Sequence, residues 1–217
     1  MSKFADRAAT LSELKDARVI GLVRTKDRGE GIALGRALME GGIRAIEVSF
    51  TTPQAEEVIE VLAGDGTGLV GAGTVIQPQQ AMAALAAGAR FLIAPNQPKH
   101  LVPYCRDDGA VAILGGLTPH EIMTAIEAGA DFVKVFPVRS MGGASYIRDI
   151  SLPFPDLPLL VSGGVDHTNY LDFLEAGASL VVMGSGFIPA GLLAARNWPG
   201  VSRWIHETLF AGGVTAP

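Results

Sequence analysis

The chain has 217 residues, of which 48 % are hydrophobic, 18 % are charged and 27 are glycine. This composition predicts a compact, soluble protein with many tight turns and argues against an intrinsically disordered chain. The formal net charge is −5 and there is no cluster of lysine and arginine, which argues against a nucleic-acid-binding protein.

Signals for secretion or membrane insertion are not evident in the sequence. The first residues, "MSKFADRAATLSELKDARV", are charged and amphipathic and lack the apolar core of a signal peptide. No stretch reaches the roughly 18 uninterrupted apolar residues of a membrane span. The single cysteine, Cys105, excludes an intramolecular disulfide framework and fits a reducing compartment. We therefore expect a cytoplasmic protein without a membrane partner.

Four similar segments divide the chain at regular intervals. In each, a helical stretch ends at a glycine, which suits the left-handed position that follows a helix. A short apolar run then follows, as expected for a parallel strand that is buried on both faces. The segments are "EGGIRAIEV" from Glu40, "AAGARFLIAP" from Ala86, "EAGADFVKVFP" from Glu127 and "EAGASLVVMGS" from Glu175. This pattern indicates a repeated helix–glycine–strand unit.

Four further apolar runs lie between these segments. Together they predict eight strands that start near residues 19, 44, 68, 91, 111, 132, 159 and 180. Each interval is long enough for one strand and one helix. We therefore predict a closed (β/α)₈ barrel formed by residues 1–217 as a single domain, with a short N-terminal helix and a C-terminal helix and tail. An open doubly wound sheet is the structural alternative, but "LVRTKDRGEG" after the first strand is not the nucleotide-binding fingerprint of that fold.

Two charged residues occupy the same position in two of the repeats. Glu47 lies five residues after Gly42, and Lys134 lies five residues after Gly129. Alternate strand residues face the axis of a barrel, so both charges should point inward, near the C-terminal strand ends where active sites lie. They are either an inert buried ion pair or a lysine that forms a Schiff base with a carbonyl, helped by a glutamate that moves protons. Lysine is rarely fully buried, which favours the second interpretation.

Glycine-rich loops follow the seventh and eighth predicted strands. The loops after these strands commonly form the phosphate site of such barrels. The candidate phosphate-binding residues are Gly163 and Gly164 in "SGGVD", and Gly184 and Ser185 in "MGSGF". Either motif alone is also compatible with an ordinary tight turn.

Other candidates lie at further strand ends. The hydroxyl of Thr74 in "GAGTV" either contacts a substrate or caps the following helix. Phe136 should share a face with Lys134, as a wall of the site or as a core residue. Arg24, at the end of the first strand, either reaches an anionic substrate or is solvated. The four histidines show no metal-ligand spacing, so we expect no metal.

The segments "AIEVSFTTP", "GAGTV", "FVKVFP" and "SGGV", in this order, resemble the 2-keto-3-deoxy-6-phosphogluconate (KDPG) and 4-hydroxy-2-oxoglutarate (KHG) aldolase family, which includes 2-keto-3-deoxy-6-phosphogalactonate aldolases. The resemblance extends from about Ala17 to Gly184. It implies a homotrimer of barrels that works without a cofactor. It also implies that Lys134 is the Schiff-base residue, that Glu47 is the general acid/base, and that the substrate site includes Thr74, Phe136 and Pro95 of "APNQ".

The sequence departs from the best-known branch of this family in two places. Thr51 stands where that branch has an arginine that binds the substrate carboxylate. Gly184, Ser185 and Gly186 stand where that branch has Gly-Gly-Ser. Both departures, with "TTPQ" and "APNQ", look more like the phosphogalactonate branch. Our hypothesis is that Arg24 supplies the missing cation at the substrate-binding position of Thr51.

The resemblance implies a class I aldolase that cleaves a 2-keto-3-deoxy-6-phosphosugar acid, of the gluconate or galactonate type, to pyruvate and glyceraldehyde 3-phosphate. One alternative is an aldolase for unphosphorylated 4-hydroxy-2-oxoglutarate, which gives pyruvate and glyoxylate. Alternatives from other classes are a phosphosugar epimerase, which needs no imine-forming lysine, and a non-catalytic phosphosugar-binding barrel. In the last case Lys134 and Glu47 would be an inert ion pair.

Overall fold

A computed structural model describes residues 3–210 as eight parallel strands that close into a barrel in sequence order, with β8 paired to β1. The closed strand order confirms the predicted barrel and excludes the open doubly wound sheet. Each predicted strand start agrees with the structure to within one residue. The strands are β1 Val19–Val23, β2 Ala45–Ser49, β3 Leu69–Gly73, β4 Phe91–Ile93, β5 Val111–Gly115, β6 Phe132–Val135, β7 Leu159–Ser162 and β8 Leu180–Met183.

Helices alternate with the strands. The predicted N-terminal and C-terminal helices are present as α1 and α10, whereas the predicted tail over residues 211–217 lies outside the described residues. Within residues 3–210, no helix combines the length and the hydropathy needed to cross a membrane. The α-helices are α1 Lys3–Ala17, α2 Arg28–Glu40, α3 Ala55–Gly64, α4 Pro78–Ala86, α5 Leu101–Asp108, α6 Pro119–Glu127, α7 Ala144–Ser151, α8 Tyr170–Glu175, α9 Ala190–Ala194 and α10 Trp198–Leu209, with 3₁₀ turns at Arg139–Met141 and Ser185–Phe187.

The glycines that mark the repeats adopt the backbone conformation predicted for them. Gly42, Gly88, Gly129 and Gly177 have φ angles of 108°, 96°, 90° and 110°. An L side chain is strained in this region, so glycine ends the helix and turns the chain into the next strand. The helix–glycine–strand unit therefore has the same physical basis at all four positions.

The hydrophobic core has two layers. The outer layer fills the space between the strands and the surrounding helices. The inner layer fills the barrel itself, and its largest side chains are Phe91 and Phe132. Leu14 of α1 belongs to this inner layer and is fully buried, so the N-terminal helix closes the end of the barrel at which the strands begin. An ion pair between Arg7 of α1 and Asp131, just before β6, supports this position.

We expect the Leu14→Ala substitution to lower the free energy of unfolding by about 2–5 kcal/mol, because it removes a fully buried side chain and leaves a cavity at the base of the barrel. The matched control is Leu152→Ala, because the Leu152 side chain is 77 % exposed. Its effect should stay within about 0.5 kcal/mol. Urea unfolding followed by circular dichroism measures both changes. Similar small effects for the two variants would show that α1 does not close the barrel in solution.

Candidate active site

Lys134 and Glu47 meet inside the C-terminal end of the barrel. They belong to β6 and β2, which lie on opposite sides of the closed eight-stranded sheet. Their side chains are only 10 % and 1 % exposed, and Lys134 Nζ lies 3.6 Å from Glu47 Oε1. The structure thus brings these two predicted site residues together, and both face the barrel axis as the strand alternation predicts.

The Glu47 carboxylate is incompletely satisfied. Its separation from Lys134 Nζ, 3.6 Å, is longer than a normal hydrogen bond. Its second oxygen, Oε2, is buried and has no hydrogen-bond partner in the part of the chain that the structure describes. A buried acceptor of this kind costs about 1–3 kcal/mol. The carboxylate is therefore poorly arranged for stability, and Oε2 keeps its capacity to accept a proton or a hydrogen bond.

Gly73, at the end of β3, makes room for the Glu47 carboxylate. A Cβ atom at position 73 would lie 1.6 Å from Glu47 Oε1 and 2.3 Å from its carboxyl carbon. Strand β3 pairs directly with β2, so the glutamate side chain lies over the Gly73 backbone. Any residue larger than glycine here would displace the carboxylate from Lys134.

Three hydroxyl groups form a chain beside the buried pair. Ser49 Oγ lies 2.8 Å from Thr51 Oγ1 and 3.0 Å from Thr74 Oγ1. Ser49 is fully buried and lies two residues after Glu47 on the same face of β2. Thr74 has a φ angle of 60°, which is unusual for a β-branched residue. Ser49 therefore connects the predicted site residues Thr51 and Thr74 and orients the Thr74 hydroxyl group.

Phe136 and Pro95 line a cavity beside the buried pair. The centroid of the Phe136 ring lies 5.6 Å from Lys134 Nζ, and 44 % of Phe136 is exposed. A cavity of about 490 Å³ lies between the ends of β4, β5 and β6, and its walls include both residues. Lys134 and Glu47 are not part of its walls. Phe136 therefore lies between the cavity and Lys134.

The two predicted phosphate loops lie side by side because β7 and β8 are paired. Gly163 and Gly164 have φ angles of 90° and 97°, so both require the conformational freedom of glycine. Gly184 is extended, and Ser185 begins a 3₁₀ turn. The two loops thus present their backbone side by side at the mouth, and Phe136 and Arg139 pack against the glycines of the first loop.

Comparison with known proteins agrees with this geometry. The family model "KDPG and KHG aldolase" matches residues 11–204. The chain belongs to this family. It is 33 % identical to the 2-dehydro-3-deoxy-phosphogluconate aldolase of Treponema pallidum (strain Nichols), over 93 % of this chain and 96 % of that protein.

Solved structures of family members superpose on most of the chain. The KDPG aldolase of Legionella pneumophila, captured with pyruvate as a covalent carbinolamine intermediate, is 30 % identical, with a TM-score of 0.79 over 96 % of this chain and 98 % of that chain. A native KDPGal structure is 27 % identical, with a TM-score of 0.77 over 90 % of this chain and 95 % of that chain. This member of the KDPG and KHG aldolase family therefore resembles structures from both the gluconate and the galactonate branches.

Within residues 7–210, the structure gives no hydrogen bond between Thr51, which stands at the position of the family arginine, and Arg24, which we expect to replace it. Thr51 is exposed, and its hydroxyl group contacts Ser49. Arg24 is also exposed and follows β1, whose neighbours are β2 and β8. The structure gives no hydrogen bond or ion pair between Arg24 and another residue of the range 7–210. Its guanidinium group is thus present at the mouth of the barrel without being tied to the protein.

Sequence reasoning missed three residues of this site: Ser49, Gly73 and Arg139. The two-residue period of a strand could have identified Ser49, because it follows Glu47 on the same face. The same period places Gly73 on the inward face of β3, but the sequence does not show which side chain lies over it. Arg139 follows β6 by four residues and contacts the Gly164 loop, a contact that depends on how two separate loops fold.

We expect Gly73→Ala to reduce aldolase turnover by about 10²- to 10⁴-fold, because the new methyl group displaces Glu47. A loss of this size is usual when a general acid/base is removed, which is the role that the family resemblance implies for Glu47. Steady-state rates and thermal unfolding would be measured together. Gly64→Ala is the matched control, since a Cβ atom there would meet nothing within 4 Å. Normal turnover in folded Gly73→Ala would show that the position of Glu47 does not matter for the reaction.

Proposed function

We propose that this chain is a class I aldolase that cleaves a 2-keto-3-deoxy-6-phosphosugar acid to pyruvate and glyceraldehyde 3-phosphate. The observation that carries the proposal is the buried contact between Lys134 and Glu47 at the active-site end of the barrel. Membership of the KDPG and KHG aldolase family supports it independently. A phosphosugar epimerase would need acid/base groups but no imine-forming lysine, and in a non-catalytic binding protein the two residues would be an inert ion pair.

The first half of the reaction forms an imine on Lys134. The neutral form of the amine is the nucleophile. Lys134 Nζ attacks the C2 carbonyl of the substrate to give a carbinolamine. Glu47 donates a proton to the leaving hydroxyl group, and loss of water gives an iminium ion. The unsatisfied Oε2 atom of Glu47 supports this role, because it is free to hold the transferred proton.

The second half breaks the bond between C3 and C4. A base removes the proton of the C4 hydroxyl group, and Glu47 is the carboxylate available for this step. The electron pair of the C3–C4 bond moves into the iminium ion, which leaves an enamine on Lys134 and releases an aldehyde. The enamine takes up a proton at C3 to give an imine. Addition of water to this imine releases pyruvate and restores the amine.

The two anionic ends of the substrate would bind on opposite sides of the mouth. The phosphate would bind at the backbone of Gly163, Gly164, Gly184 and Ser185. The carboxylate would bind near the hydroxyl groups of Thr51 and Thr74, with Arg24 as its cationic partner. Phe136 and Pro95 would form the apolar wall beside the reacting carbons. This arrangement follows from the order of the strands, because β3 and β7 lie opposite each other.

A second candidate substrate is 4-hydroxy-2-oxoglutarate, because the matching family includes aldolases for it. The same lysine chemistry would give pyruvate and glyoxylate. The paired glycine loops favour the phosphorylated substrate. A comparison of kcat/KM for the two substrates separates these activities.

The proposal extends to the domain organisation, the assembly and the location of the protein. Residues 1–217 would form a single domain, and three chains would assemble into a homotrimer. The protein would act in the cytoplasm on a small-molecule substrate. Gluconate- and galactonate-type substrates differ at the C4 hydroxyl group, and comparing turnover of the two would assign the branch.

Reduction with borohydride in the presence of pyruvate tests the proposed imine. We expect a stable pyruvate adduct on Lys134, because borohydride reduces an imine to a secondary amine. Peptide mass mapping locates the adduct. Lys134→Met should abolish it, whereas Lys99→Met should not, because Lys99 is exposed on the surface.

Absence of an adduct on any lysine of the folded protein, with pyruvate in excess, would contradict the aldolase proposal. Lys134 and Glu47 would then be an inert pair, and an epimerase or a binding protein would become the better interpretation.

We expect Arg24→Ala to raise the KM for the keto acid by about 10- to 100-fold, because a charge-assisted hydrogen bond to the carboxylate is lost. Arg203→Ala is the matched control, since Arg203 is exposed on α10 and its loss changes the net charge equally. Steady-state kinetics with both variants measures the difference. An unchanged KM in Arg24→Ala would show that another group binds the carboxylate.

A further inference from the structure

The side chain of Arg139 lies directly over the loop that follows β7. A Cβ atom at Gly164 would be 2.5 Å from Arg139 Nε and 2.6 Å from Arg139 Cβ. Arg139 Nη2 also lies 3.4 Å from the Gly164 carbonyl oxygen, to which it donates. The backbone N–H of Arg139 donates to the carbonyl oxygen of Gly163 at 3.0 Å. Arg139 is therefore anchored to both glycines of the proposed phosphate loop.

The positive charge of Arg139 is only weakly engaged by the protein. Its side chain is 70 % exposed, and Nη2 lies 3.8 Å from Asp166 Oδ2. A pair at this distance, with an exposed arginine, contributes little. Among residues 7–210, Nη2 is the only Arg139 side-chain atom for which the structure gives a hydrogen bond or ion pair. Most of the five donors of this guanidinium group are thus available to a ligand.

Asp166 is suited to be a counter-ion that a ligand can replace. Its Oδ1 atom accepts hydrogen bonds from the backbone N–H of Thr168 at 2.9 Å and from the Thr168 hydroxyl group at 2.5 Å. These bonds hold the pKa of Asp166 below its usual range, so the carboxylate stays charged. The strong contacts of Asp166 are thus with Thr168, and its contact with Arg139 is the weaker one.

Backbone N–H groups alone leave most of the charge of a phosphate unbalanced. A phosphate ester carries about −1.5 to −2 charges at neutral pH. A guanidinium group binds two of its oxygens at once, and such charge-assisted pairs are about twice as strong as neutral hydrogen bonds. Arg139 is already fixed at the edge of the glycine loop, so little ordering is needed for it to reach a phosphate bound there.

We propose that Arg139 determines the preference of this enzyme for a phosphorylated substrate: it exchanges its weak contact with Asp166 for the substrate phosphate. This inference rests on the proposed aldolase function and adds a specificity residue to it. Asp166 competes with the phosphate for the same guanidinium group. The two residues therefore act in opposite directions on the same preference.

The test is aldol addition of pyruvate to D-glyceraldehyde 3-phosphate and to D-glyceraldehyde. Arg139→Ala should lower kcat/KM for the phosphorylated aldehyde by about 10- to 100-fold, as expected for loss of charge-assisted hydrogen bonds. The value for the unphosphorylated aldehyde should stay within about twofold, because this aldehyde never uses Arg139. Asp166→Asn should shift the preference a few-fold toward the phosphorylated aldehyde, since it removes the competing charge.

Arg36→Ala is the matched control. Arg36 pairs with Asp65 at 2.7 Å and is also exposed, but it belongs to the last part of α2, at the opposite end of the barrel. Its loss removes the same charge and a closer arginine–aspartate pair. The ratio of the two kcat/KM values should therefore stay at the wild-type value.

The outcomes separate the inference from the function on which it rests. The inference would be overturned if Arg139→Ala left the ratio of the two kcat/KM values unchanged. An equal loss of kcat/KM with both aldehydes gives such a ratio and would show that Arg139 only stabilises the loop. Both results would leave the aldolase function intact. Failure of the wild-type enzyme to add pyruvate to either aldehyde, with no adduct on Lys134, would overturn the function itself and the inference with it.

Discussion

The rest of this structure depends on one interaction, the ion pair of Lys134 and Glu47 at the axis of an apolar barrel. Their attraction has to offset the loss of hydration of both groups, which in buried pairs it often fails to do. Here the geometry makes the balance worse, because the separation is 3.6 Å and one carboxylate oxygen has no partner in the described part of the chain. Aliphatic side chains would fill the same space at lower cost. The pair therefore depends on stability that the rest of the barrel provides.

That stability comes from the apolar side chains that fill the barrel below the ion pair, toward the start of the strands. Phe132 lies two residues before Lys134 on the same face of β6, roughly 6–7 Å away along the strand. Along the inward face of β6, the apolar core residue and the polar site residue are thus consecutive. Strand β3 shows the same division, because the Phe91 ring occupies the space at Gly71, whereas the Glu47 carboxylate occupies the space at Gly73. In this barrel, a layer of apolar side chains thus lies directly below the layer that contains Lys134 and Glu47, as is common in this fold.

This layering explains how much could be predicted from the sequence. The strands and the inward charges follow from local rules: a glycine ends each helix, an apolar run follows, and alternate residues face the axis. These local rules do not predict the roles of Gly73 and Arg139, because those roles depend on contacts between separate segments. The fit of Gly73 to Glu47 requires the register of β2 against β3. The contact of Arg139 with Gly164 requires the path of two loops, which no periodic pattern describes.

The order of the strands also restricts how a substrate with two anionic ends can lie. In the proposed function, the glycine loops after β7 and β8 hold the phosphate, and Arg139 follows the neighbouring strand, β6. The hydroxyl groups of Ser49 and Thr74 lie on the opposite wall, at β2 and β3. A substrate that reaches from one wall to the other has to cross the axis, where Lys134 lies beside Glu47. The same closed sheet that forces two charges together thus also directs the middle of the substrate to them.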